Sequence, residues 1–113
     1  MKYFISNGER HGTCYHEFVQ GEWDEEALIF WSDDSLYLHD DVAVELGLYR
    51  KLFKAADVKF DDCGINVITL DDWNALVKRA NELGGEILEF IEELRPWAEE
   101  NFRNNEIFTI LGI

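Results

Sequence analysis

Proline and cysteine are scarce in this chain, which has one Pro and two Cys in 113 residues. Two thiols, Cys14 and Cys63, cannot form the disulfide framework of a small secreted scaffold, and a chain of this length needs none. Long apolar runs are missing too. None approaches the ~18–20 residues of a membrane span, and the opening segment MKYFISNGER lacks the apolar core of a signal peptide. These absences predict a cytoplasmic protein with both thiols reduced and no membrane contact. Basic residues are few: 10 Lys and Arg stand against 24 Asp and Glu, for a formal net charge of -14. Such a balance disfavours direct binding to nucleic acid, whose phosphates reward Lys and Arg.

Aromatic residues, by contrast, are plentiful. Four Trp, four Tyr and eight Phe make up 14 % of the chain, and 47 % of residues are hydrophobic. That composition excludes intrinsic disorder and supplies one core. The length predicts one domain, residues 1–113, burying roughly two thirds of its unfolded surface.

Periodicity divides the chain. Tyr3–Ile5 reads as a strand, Asn7-Gly8 as a turn, and Thr13–Val19 as a second strand in a hairpin with the first. Ala27–Trp31 reads as a buried strand, Asp33-Asp34-Ser35 as a turn and Leu36–Leu38 as a further strand, completing an antiparallel meander. Val42, Leu46, Tyr49, Phe53 and Ala56 form an apolar stripe that predicts one helix, capped by Asp40 or Asp41 and crossing Gly47. After a loop at Asp61–Gly64, Ile65–Leu70 reads as a strand, and Thr69 with Asp72 resembles a capping box. Helices follow to Gly84-Gly85 and from Glu86 onwards, the last kinked or restarted at Pro96. Ile107–Leu111 reads as a closing strand against the N-terminal sheet. The fold class is α+β: an N-terminal antiparallel sheet of three to five short strands, about three helices, and a C-terminal strand.

Catalytic signatures are sparse. His11, Cys14, His16 and Cys63 offer zinc-type donors, but no CxxC pair accompanies them, and ordinary histidines with two small buried thiols are the simpler reading. A Cys–His nucleophile would need an orienting group and an oxyanion loop that neither cysteine has nearby. Paired carboxylates are too numerous for any one pair to signal glycoside chemistry. Gly84-Gly85 lacks the Lys and spacing of a phosphate loop, and no calcium-loop pattern fits. The sequence therefore predicts no catalytic residue and no cofactor.

The charge is informative instead. Compacting like charges costs free energy, and solubility alone is served by a net charge of roughly 2–8. Acidic residues cluster at Asp24-Glu25-Glu26, Asp33-Asp34, Asp40-Asp41, Asp61-Asp62 and Asp71-Asp72, with more from Glu86 to Glu100. Asp at helix starts and glutamates on a solvated helix face are ordinary. The clusters near Trp23 and Trp31 suit a second role, a rim of carboxylates around aromatic anchors that meets a basic protein. Candidate partner-binding residues are thus Trp23, Asp24, Glu25, Glu26, Trp31, Asp33, Asp34, Asp61 and Asp62.

With those clusters beside Trp23, Phe30 and Trp31, this small acidic chain resembles the immunity proteins of bacterial toxin–immunity systems. The resemblance implies a stoichiometric inhibitor of a toxin domain, often a nuclease with a basic cleft. Two rival expectations are a DNA-mimic protein of a phage or mobile element and a self-associating structural or regulatory module. The partner would be a basic protein, and the chain itself a monomer or homodimer.

Overall fold

A computed structural model of the chain describes residues 1–26 and 31–112. The expected strand at Ala27–Trp31 falls mostly on residues 27–30, outside the described residues.

Among the described residues, five antiparallel strands form one sheet: β1 (Phe4–Ile5), β2 (Tyr15–Gln20), β3 (Leu36–His39), β4 (Ile65–Thr69) and β5 (Ile107–Leu111). Their order is β1-β3-β2-β5-β4. The expected β1–β2 hairpin does not form. β1 pairs with β3, Phe4 opposite Leu38, while β2 lies between β3 and β5. Asn7-Gly8 belongs to a short 3-10 turn, Asn7–Glu9, closed by a capping box between Ser6 and Glu9, so it does not reverse the chain between adjacent strands. The closing strand does meet the N-terminal sheet, and it occupies an interior position there, with Phe18 opposite Ile110 on one side and Ile68 opposite Phe108 on the other.

Alternation along the strands sends Phe4, Phe18, Leu38, Ile68, Phe108 and Ile110 to one face. The helices cover that face. α2 (Leu70–Leu83) contributes Trp73, Leu76 and Ala80, and α3 (Gly85–Asn104) contributes Phe90, Ile91, Leu94 and Ala98. Aromatic rings knit the layers: Phe4 stacks on Phe90 at 5.0 Å, and Trp97 meets Phe108 edge-on at 5.3 Å. The capping box at Thr69 and Asp72 starts α2 as expected. α3 runs unbroken past Pro96, so the expected restart does not occur. Leu94, Ala98 and Asn101 remain buried on both sides of the proline, and that burial outweighs the roughly 3 kcal/mol a helix-interior proline costs.

The predicted helix through Gly47 is two elements. α1 (Asp40–Leu46) stops where Gly47 turns left-handed at φ 66°, and a π-helix (Leu48–Phe53) continues. Neither aspartate caps α1. His39 does, its Nδ1 accepting from the backbone N–H of Asp41 at 3.1 Å.

Candidate functional site

Two carboxylates, one on each side of the sheet, serve the fold. Glu17 on β2 is only 2 % exposed. Its two oxygens accept from the Trp31 N–H at 2.8 Å, the Ser32 N–H at 3.2 Å and the Ser35 hydroxyl at 2.7 Å. Tyr37 donates to the Ser32 carbonyl at 2.6 Å. Burial, with the Glu17 charge nearby, pushes the Tyr37 phenol well above its ordinary value. This network fixes residues 31–35 over β3. On the opposite side of the sheet, the Glu93 carboxylate on α3 accepts from three successive backbone amides, Lys2, Tyr3 and Phe4, at 2.6, 2.9 and 2.7 Å, and anchors the start of β1.

The remaining α3 glutamates are largely engaged. Arg95 binds Glu92 at 2.8 Å and approaches Glu99, Arg103 binds Glu100 at 2.8 Å, and Lys2 approaches Glu89 at 3.6 Å. The Arg95 hydrogen bond holds the Glu92 carboxyl below its usual range.

The predicted partner-binding residues fall into three places. Trp23, Asp24, Glu25 and Glu26 follow β2 and, with Glu22, Ile65, Val67 and Thr109, line an open hollow of about 570 Å³ beside β4. Ile65 and Val67 point outward from β4 and are 45 % and 51 % exposed. Among the described residues, β4 has one sheet neighbour, β5. Asp61 and Asp62 lie in the turn that enters β4. Asp61 accepts from the Cys63 N–H at 3.0 Å, and its own N–H donates to Asn66 at 2.7 Å.

Trp31, Asp33 and Asp34 stand apart, at the entrance to β3. Trp31 is half-buried and left-handed at φ 63°. The Arg10 guanidinium lies 3.8 Å from its ring centre, and Tyr37 flanks it at 5.7 Å. Asp33 accepts from the Asn7 amide at 3.1 Å, and the Asp34 carbonyl accepts from the Trp97 indole at 3.0 Å.

The Cys/His set does not converge. Cys14 and Cys63 are exposed free thiols, not the small buried residues expected. His16 points into the helix-covered face and meets Asp40 at 3.1 Å. Among the described residues, no group of three or more His, Cys, Asp or Glu is arranged to hold a metal ion, and no helix is long and apolar enough to cross a membrane.

Sequence reasoning missed Glu17, Glu93 and the exposed Ile65–Val67 pair. The alternation of β4 could have shown the last. Nothing local marks either glutamate.

No protein-family model, curated protein or solved structure matches the chain.

Proposed function

We propose that the protein is a stoichiometric, immunity-type inhibitor that binds a basic protein, with a nuclease toxin domain as the partner that best suits its charge. Binding takes place on the outer face of β4. Ile65 and Val67 supply apolar contact, Trp23 an aromatic wall, and Glu22, Asp24, Glu25 and Glu26 a carboxylate rim. Asp61 and Asp62 extend the negative potential at the strand's entrance. Trp31 acts in this reading as a support for Asp33 and Asp34, since its ring and backbone are engaged within the chain.

The observation that supports this reading best is the juxtaposition in the β4 hollow of two exposed aliphatic side chains with a run of carboxylates. An apolar centre with a charged rim is the usual anatomy of a protein interface. A negative rim steers a basic partner and speeds its association. Glu17 and Glu93 are drawn into the fold, and Glu92 and Glu100 on α3 pair with arginine.

Affinity capture from the native host tests the proposal. The wild-type chain is expected to retain one basic protein near one-to-one at low salt and release it at high salt. A Glu25→Lys/Glu26→Lys/Val67→Asp variant is expected to retain none. Equal retention by both chains would place the interface elsewhere, and failure of the wild type to retain any basic protein would overturn the inhibitor reading.

A further inference from the structure

On the helix-covered side of the sheet, away from the β4 hollow, α1 and the π-helix stand off β2 and β3 and leave a cleft of about 250 Å³. Its walls are mostly apolar, with Phe18, Leu38, Leu48, Phe53, Phe60 and Ile110 among them. His16 also lines it. This imidazole is 1 % exposed, and Nε2 lies 3.1 Å from the Asp40 carboxylate. Among the described residues, Nδ1 has no hydrogen-bond partner. A buried ring nitrogen without a partner is costly to the fold, so the position requires a reason beyond packing.

We propose that this cleft is a binding site for a small, neutral, largely apolar molecule bearing one hydroxyl group, of the phenol type, with the hydroxyl on His16 Nδ1. The chemistry follows from the walls. A carboxylate only accepts, so a hydrogen on Nε2 faces Asp40, and in that tautomer Nδ1 is an acceptor. A hydroxyl donates to that lone pair, and it accepts equally well should the ring carry both hydrogens. Phe53 and Phe60, packed on each other with centroids 4.7 Å apart, give the cleft an aromatic wall suited to a planar ligand. Asp40 and Asp62 line the same cleft with a single cation, Arg50, which disfavours an anion. Nδ1 is closed to water, so the ligand gains a bond that solvent does not supply. Reaching Nδ1 requires a neighbouring side chain to move, and the half-buried Phe60 ring, 5.9 Å from the imidazole centre, lines the cleft beside it.

The test titrates the full chain with p-cresol, and with toluene as the hydroxyl-free match, following the His16 ring nitrogens and the Phe53 and Phe60 rings by NMR. The expected result is a saturable shift of His16 Nδ1 with a dissociation constant on the order of 1 mM for a ligand of about eight heavy atoms. Toluene is expected to bind roughly tenfold more weakly. Ala43→Trp, which enlarges a lining side chain and leaves His16 itself unchanged, is expected to abolish the p-cresol shift, and Val44→Trp, at a more exposed lining position, provides a second blocking variant if Ala43→Trp fails to fold. Absence of a saturable shift would overturn the site, and equal binding of toluene would overturn the role of His16.

Discussion

Glu17→Gln separates a carboxylate that holds the fold from one that merely adds to the acidic surplus. At a net charge of -14, removal of an ordinary surface carboxylate relieves self-repulsion and is neutral or slightly stabilising. Glu17 should behave in the opposite way. Its three partners all donate, Trp31 N–H to Oε1 and Ser32 N–H with the Ser35 hydroxyl to Oε2. Glutamine conserves the volume but replaces one oxygen with a donor. Whichever oxygen is lost, a backbone N–H at residue 31 or 32 is left facing another donor, at about 1–3 kcal/mol, and the surviving bonds lose their charge assistance, at about 1 kcal/mol more. The sum is about 2–4 kcal/mol. For a chain of this length, 1 kcal/mol corresponds to about 4 °C in Tm, so thermal unfolding followed by circular dichroism should show a drop of roughly 8–16 °C. Glu26→Gln, an exposed control, should leave Tm within about 2 °C. A Glu17→Gln variant as stable as that control would show that Glu17 does not hold residues 31–35 in place.

Glu93→Gln removes charge from three backbone bonds at the start of β1 and should cost about 2 kcal/mol, with hydrogen exchange at Phe4 and Ile5 accelerating before that of β5. The folded Tyr37 phenol titrates above its ordinary value of 10.0 because burial disfavours the phenolate. The folded state therefore keeps a proton that the unfolded chain loses as pH rises past about 10. Stability is unaffected by this group below that pH and falls above it, and Tyr37→Phe should flatten the decline of Tm between about pH 9.5 and 11. Thr69→Ala deletes the cap of α2 and should cost about 1 kcal/mol by denaturant titration.

Local signals made much of this fold legible. The Thr69–Asp72 capping box, the apolar stripes of α2 and α3 and the β-rich run at Ile107 each name their own element. What the sequence concealed depends on partners distant along the chain. β1 pairs with β3 and not with its neighbour β2, because the 3-10 turn at Asn7–Glu9 carries the chain away from a two-residue hairpin. The stripe from Val42 to Ala56 keeps its spacing across Gly47, yet the left-handed glycine re-aims it and creates the π-helix that walls the cleft. Among the acidic residues, Glu17 and Glu93 look like every other carboxylate until the amides they accept from are in place. The candidate site was half visible: the run from Trp23 to Glu26 was evident, but the β4 side chains it lies beside were not, since that contact joins residues some forty apart along the sequence.

The most direct test of the proposed inhibitor measures the association rate of the purified chain with the basic protein it captures, across a series of salt concentrations. The β4 account predicts salt-sensitive association that slows roughly tenfold or more on Glu25→Lys/Glu26→Lys, with a much smaller change in dissociation. An association rate indifferent both to salt and to the reversal would contradict it.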